Sequence, residues 1–186
     1  MSNKDVMTRE EARDIFNNLI ENDSLRRHCR SVELVMEAYA RALGENEEVW
    51  GNAGLLHDAD YEKYPDQHPK VIVKILEDLG EQDVAHAISA HYTHWGVRYD
   101  STLDKYLLAV DELTGFIIAA SLMRPTRLDG LTPSSVVKKL KTKGFASGVD
   151  RDEIDKGIAL AGLDRDEHIR FIIEVLYNHR EELNLV

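Results

Sequence analysis

The sequence predicts an all-α domain, and three observations support this fold class. Apolar residues recur at spacings of three and four, helix-capping residues precede several of these runs, and no convincing alternating segment exceeds a few residues. The chain has 186 residues, 43% of them hydrophobic, which is an ordinary globular composition. With no internal repeat or low-complexity linker, we expect one domain over 1–186, with a core at about 24–125 and C-terminal helices at 133–184 packing on it.

The first three predicted helices are bounded by capping residues. Thr8 and Glu11 form a capping box that opens the first helix, which should end near residue 22. Ser24 is expected to cap the second helix, whose apolar stripe includes His28, and Gly44 is expected to end it. The third helix is predicted from after residue 46 to residue 58.

Six further helices are predicted in the rest of the chain. Pro69 is placed as the first residue of the fourth helix, and Gly80 as its end. A fifth helix carries His91 on its apolar face, and a long sixth helix covers about 102–123, before Pro125. Three more helices are opened by Thr132 with Pro133, by Asp150 with Glu153, and by Asp164 with Glu167.

Charge and cysteine content limit the classes of function. The chain has 23 Lys and Arg against 34 Asp and Glu, a net charge of −11, which disfavours binding to nucleic acid polymers. The single Cys29 excludes an internal disulfide and fits a reducing compartment. No apolar stretch reaches membrane length, and the first 14 residues lack the apolar core of a secretion signal. We therefore expect a cytoplasmic enzyme that acts on small molecules and does not associate with membranes.

Polar residues on faces that should be buried are the most informative feature. Asp111 lies on an apolar stripe in LLAVDELTGFIIAA, and Asp58 follows AGLLH directly. A buried carboxylate without a partner costs several kcal/mol, so the fold must supply a cation or hydrogen-bond donors. His28, His57 and His91 lie on comparable faces, and a metal ion would satisfy these imidazoles and carboxylates together.

Each of these residues also has a simpler interpretation. A single His on an apolar stripe is usually a core residue hydrogen-bonded to a carbonyl, and a His-Asp pair often arises by chance. The combination favours a metal site, because separate helices each contribute one ligand-type residue to the buried side.

Three sequence blocks resemble the HD-domain superfamily, in which a His, an adjacent His-Asp pair and a distant Asp bind metal. The blocks are GLLHDADYEKYPDQHP, AISAHYTHWG, and VDELTGFIIAA followed by RP; they also look like a group of little-characterised HD-domain hydrolases. The resemblance implies His28, His57, Asp58 and Asp111 as ligands. It also implies an all-α bundle around a divalent metal, and most members of known activity are phosphohydrolases.

Two additional histidines occupy the positions at which dinuclear members of the family have theirs. By this resemblance, Asp58 would bridge two ions, with His28, His57 and Asp111 on one ion and His68 and His91 on the other. The alternatives are a solvated loop position for His68 and an ordinary core position for His91. Histidine-rich ligation favours Fe, Mn, Co, Ni or Zn, with Mg as the remaining possibility.

We expect no metal ligand among the other histidines. His86 and His94 are not expected to be ligands, and His168 and His179, among the charges of the last helix, are expected at the surface.

The function predicted from these features is a metal-dependent phosphohydrolase acting on a small phosphate ester or nucleotide. His57 and Asp58 would be catalytic through the metal that they hold. The anionic substrate requires cations, for which the candidates are Lys63, Arg98, Arg124 and Lys143; each could equally be a solvated surface charge.

Two other functions stay open at this point. The dinuclear ligand set also supports diiron oxygenases that resemble myo-inositol oxygenase, and a binding or regulatory module could keep the metal without catalysis. Tyr61 replaces the phosphate-binding Lys of better-known phosphohydrolases. Asp60 and Glu62 could orient a ligand or a water, but neither receives an assigned role.

Overall fold

A computed structural model describes residues 6–186, and within this range the secondary structure is helical, with nine α-helices and no β-strand. Residues 1–5, which belong to the stretch expected to lack a secretion signal, lie outside the described part. The all-α fold class is confirmed. The helices are α1 (Arg9–Leu19), α2 (Asp23–Leu43), α3 (Glu47–Leu56), α4 (Lys70–Leu79), α5 (Gln82–His91), α6 (Thr102–Leu122), α7 (Pro133–Leu140), α8 (Arg151–Ala161) and α9 (Arg165–Asn178).

The chain divides into two compact units, Met1–Asp104 and Lys105–Val186, with the boundary near the start of α6. The first unit contains α1 to α5, and the second contains most of α6 with α7 to α9. The expected single domain over the whole chain stays a prediction. In the described residues, no helix combines the length and the hydropathy needed to cross a membrane.

Most caps lie where the sequence predicted them, with one correction. Thr8 and Glu11 form the capping box of α1, and Gly44 ends α2 with φ of 72°. The prediction that Ser24 caps α2 is wrong. Asn22 is the cap, because its backbone is extended and its side chain accepts a hydrogen bond from the amide of Leu25, so Ser24 already lies inside the helix.

Two helix ends near the candidate site differ slightly from the prediction. Helix α3 ends at Leu56, so His57 is its C-terminal cap and Asp58 lies in the turn that follows. Pro69 is the residue before α4 rather than its first residue, and its cap position makes no side-chain hydrogen bond. The loop between these helices contains a short 3-10 turn at Pro65–Gln67.

Close packing of α2 against α3 organises the first unit. A Cβ atom at Gly54 of α3 would lie 2.8 Å from both Cα and N of Glu33 in α2, so the two backbones touch at this point. Helix α3 also packs against α1 and α5, and α4 packs against α5. Fully buried side chains around this contact include Val32, Val35, Met36, Leu56 and Ile88.

A similar close approach occurs in the second unit. A Cβ atom at Gly157 of α8 would lie 2.6 Å from Cα of Ala109 in α6, and α7 packs against α9. His168 of α9 is 1% exposed, and its Nε2–H donates to the carbonyl of Ala109 at 2.7 Å. The expectation of a surface position for His168 is therefore wrong, whereas the side chain of His179 is 40% exposed and pairs with Glu182.

We expect His168 to make the protein less stable as the pH falls from about 6.5 to 4. Burial lowers the pKa of His168 to about 4, although the hydrogen bond to Ala109 opposes this shift. In the unfolded chain the residue titrates near about 6.5, so between these values protons bind the unfolded state preferentially. The free energy of unfolding should therefore fall by about 1.5 kcal/mol between pH 6.5 and 5 through this residue.

The measurement is urea unfolding of the wild type and His168→Gln at several pH values. Glutamine keeps an N–H donor but does not titrate, so the variant should lose less stability on acidification than the wild type. His179→Gln, at a partly exposed position, is the matched control and should follow the wild-type curve. Parallel curves for all three proteins would contradict the assignment.

Candidate metal centre

Four histidines and one aspartate of the first unit come together from separate elements. His28 lies in the second turn of α2, His57 and Asp58 follow α3, His68 precedes α4, and His91 is the last residue of α5. Since the His-Asp pair lies where a helix has just ended, its side chains extend from a turn rather than along one helix face. Asp58 is 21% exposed, whereas the side chains of the histidines are between 0% and 20% exposed.

The two oxygens of Asp58 face different pairs of imidazoles. Its Oδ2 lies 3.7 Å from Nε2 of His28 and 3.3 Å from Nε2 of His57. Its Oδ1 lies 3.3 Å from Nε2 of His68 and 3.8 Å from Nε2 of His91. In each of the two groups the ligand-type atoms lie within 4.8 Å of one another, so each group could hold one metal ion.

Hydrogen bonds at the opposite ring nitrogen fix two of these imidazoles. Nδ1 of His57 lies 2.7 Å from the carbonyl oxygen of Gly54, and Nδ1 of His91 contacts the carbonyl oxygen of Ile88. A carbonyl can only accept a hydrogen bond, so each Nδ1 carries the proton. In the neutral ring Nε2 then presents a lone pair, which is the form that binds a metal.

The electrostatics of this arrangement suit a cation. The lone pair of a neutral His57 is directed towards an anionic carboxylate at 3.3 Å, and Nε2 of His28 lies only 3.1 Å from Nε2 of His57. Electron-rich atoms at these distances repel unless a proton or a metal ion lies between them. Burial raises the pKa of Asp58, but positive charge at His57 and His28 and hydrogen bonds donated by His57 and His91 lower it well below its ordinary value, so a cationic partner at this position keeps the carboxylate ionised.

Asp60 is the residue at this site whose contacts the sequence did not predict. Its side chain is fully buried, and one oxygen lies 2.6 Å from Nδ1 of His68. The other oxygen accepts from the backbone amides of Val71 and Ile72, each at 3.0 Å. Asp60 lies two residues after Asp58 in HDADYE, and this position was the only hint of its role in the sequence. Its contacts could not be predicted because they depend on the path of an irregular loop.

The expected surroundings of the other histidines can be compared with the structure. The side chain of His68 is 8% exposed, so the alternative of a solvated loop position does not hold. Nδ1 of His86 lies 3.1 Å from Asp104, and the exposed His94 contacts the ring of Tyr92. Among the described residues, neither His86 nor His94 belongs to the two ligand groups.

Asp111 lies in α6, and the four candidate substrate-binding cations lie in loops. Asp111 lies in the part of α6 that belongs to the second unit and is 8% exposed. Lys63 donates to the carbonyl of Asn18 at 2.6 Å, and Arg98 pairs with Asp100 at 3.3 Å. In the second unit Arg124 donates to the carbonyl of Arg127 at 2.9 Å, and Lys143 is exposed. The ligand role of Asp111 and the substrate-binding roles of the four cations stay predictions.

Comparisons with known proteins agree with this geometry. A model of the HD domain family matches residues 25–115, a range that contains His28, His57, Asp58, His68, His91 and Asp111. Searches of curated proteins and of solved structures found no match. Proteins with an HD domain generally are metal-dependent hydrolases. The order of the metal-ligand residues, the helical fold and the family match together support the assignment of residues 25–115 to the HD-domain superfamily.

Proposed function

We propose that this protein is a metal-dependent phosphohydrolase that acts on a small phosphate ester or nucleotide. The observation that carries the proposal is the position of Asp58, whose two oxygens each face two imidazole nitrogens at 3.3–3.8 Å. This arrangement supports a dinuclear centre in which Asp58 bridges two divalent ions. His28 and His57 would bind the first ion, and His68 and His91 the second.

The residues present fit such a pair of ions. Imidazole nitrogens and carboxylates suit Fe, Mn, Co, Ni or Zn, and a carboxylate that contributes one oxygen to each ion offsets part of their mutual repulsion. Bound divalent ions supply a hydroxide nucleophile at neutral pH and Lewis acidity towards phosphoryl oxygens. From the family motif alone, Asp111 is proposed as a further ligand of the first ion.

The protein's own residues would hold and orient the substrate. A phosphate ester is anionic and the chain has a net charge of −11, so local cations must offset the repulsion. We propose that the anionic substrate is bound by four cations, Lys63, Arg98, Arg124 and Lys143. Arg124 lines a cavity of about 450 Å³ in the second unit together with Lys138, Lys139, Ser135 and Thr142.

A panel of small phosphate esters and nucleotides, assayed with Mn²⁺, Co²⁺, Fe²⁺, Ni²⁺, Zn²⁺ or Mg²⁺, tests the proposed activity. Metal-dependent release of inorganic phosphate, lost in Asp58→Ala, is the expected result. Consumption of O₂ by an iron-loaded protein with a mixed-valent paramagnetic signal would instead identify an oxygenase. Metal binding without either reaction across the panel would indicate a regulatory module and reject the hydrolase.

We expect His68→Ala to remove about one equivalent of metal and leave the other bound. His68 faces only the Oδ1 side of Asp58, so the pair of His28 and His57 on the other side should keep its ion. Elemental analysis after dialysis measures the content, with His94→Ala as the control at an exposed position. Unchanged metal in His68→Ala would show that the centre is mononuclear.

A further inference from the structure

Asp60 makes three hydrogen-bonding contacts from a fully buried side chain. One carboxylate oxygen lies 2.6 Å from Nδ1 of His68, and the other accepts from the amides of Val71 and Ile72 at 3.0 Å. These amides belong to the first turn of α4, whose own cap residue, Pro69, makes no side-chain hydrogen bond. Asp60 therefore caps α4 and contacts His68 at the same time.

The contact with His68 decides which ring nitrogen carries the proton. An ionised carboxylate only accepts hydrogen bonds, so Nδ1 of His68 must be the N–H donor. The neutral ring then has its lone pair on Nε2, the nitrogen that lies 3.3 Å from Oδ1 of Asp58. Nδ1 of His57 and Nδ1 of His91 also carry the proton, but their acceptors are backbone carbonyls, which a side-chain substitution cannot remove. The acceptor for His68 is a side chain, so it can be changed by mutation.

We propose that Asp60 is a positioning residue that holds His68 in the Nδ1–H tautomer and so makes its Nε2 a metal ligand. The ligand role rests on the proposed dinuclear centre, but the tautomer does not. A carboxylate on the far nitrogen also increases the basicity of an imidazole ligand, and loss of such a partner typically lowers metal affinity by about 10- to 100-fold.

Asparagine at this position separates the two roles of Asp60. Two backbone N–H groups point at one side-chain atom, so the oxygen of the amide must face Val71 and Ile72, because its NH₂ group would meet two donors there. The NH₂ group then faces His68 and donates to Nδ1. His68 must place its proton on Nε2, so Asp60→Asn keeps the cap of α4 but blocks the metal-binding nitrogen.

The test is nitrogen-15 NMR of the histidine rings in the metal-free protein, at a pH high enough to keep these rings neutral, with His68→Ala used to assign the signals of His68. We expect the Nδ1–H tautomer in the wild type and the Nε2–H tautomer in Asp60→Asn. Asp66→Asn, at an exposed position of the same loop, is the matched control and should keep the wild-type tautomer. An Nδ1–H ring in Asp60→Asn, or an Nε2–H ring in the metal-free wild type, would overturn the proposal. The wild-type measurement is informative even if the variant does not fold.

Metal titration of the same proteins, with Mn²⁺ as the probe, adds the functional readout. The second equivalent should bind about 10- to 100-fold more weakly in Asp60→Asn than in the wild type, while the first is unchanged. Unaltered affinity for both equivalents would overturn the ligand-controlling role of Asp60. A wild type that binds only one equivalent would refute the dinuclear centre instead, so the two failures are distinguishable.

Discussion

Replacing Asp58 with alanine should leave the purified protein without bound divalent metal, a fall from about two equivalents to none. The two carboxylate oxygens face all four imidazoles, so the substitution removes an anionic ligand from both groups at once. Apart from the proposed ligand Asp111, which would serve only the first ion, the remaining ligands are neutral imidazoles that offer no charge to offset the repulsion between two divalent ions. Elemental analysis after dialysis against chelator-free buffer measures the loss, and phosphate release should fall with it.

Two further variants make this result specific. Asp58→Asn keeps the size of the side chain but not its charge, so it should also lose most of the metal. Asp66→Ala removes an exposed carboxylate from the neighbouring loop and should leave the metal content unchanged. Circular dichroism shows whether the helices persist in each protein. Full metal content in a folded Asp58→Ala would exclude Asp58 as the bridging ligand.

Gly54→Ala should destabilise the protein by about 3 kcal/mol and weaken metal binding. The added Cβ would lie 2.8 Å from Cα and N of Glu33, and these backbone atoms can move only if α3 moves away from α2. Such a movement separates His57, which follows α3, from His28 on α2, whose Nε2 atoms are 3.1 Å apart. The greater helix propensity of alanine offsets only about 1 kcal/mol of this cost.

Gly51→Ala is the matched control on the same helix. Its added Cβ would meet Cγ and Oε1 of Glu37 at 2.8 and 2.9 Å, atoms of a side chain that can rotate away. Urea unfolding should therefore show a smaller loss of stability than in Gly54→Ala, and metal affinity should stay near the wild-type value. Equal losses in the two variants would show that the contact between the α2 and α3 backbones is not the origin of the effect.

The sequence predicted the helices well because their signals are local. Apolar spacing places each helix, and side chains such as Thr8 and Asp164 cap the amides within the next three residues. The error at α2 has the same origin. Asn22 and Ser24 are both good capping residues two positions apart, and the choice depends on which backbone is extended, which composition does not specify.

The site residues that could be predicted are the polar residues that interrupt the apolar spacing of a helix. His28 and His91 occur on apolar stripes, and Asp58 follows one directly, whereas the contacts of Asp60 arise in an irregular loop that has no period to interrupt. His168 shows the opposite error. Its charged neighbours suggested a surface position, yet it precedes the buried Ile172 by one helical turn and lies on the same buried face.

The backbone hydrogen bonds of His57 and His91 determine what metal loading demands of the fold. The carbonyls of Gly54 and Ile88 orient these rings through contacts within the protein itself, so a metal ion need not order the chain around itself. A chelator should therefore remove the metal ions without unfolding the helices, and the metal-free protein should bind a different metal ion. The metal that occupies the centre in the cell then depends on which metal ions are available and on the preference of the ligands, and not on how the chain folded.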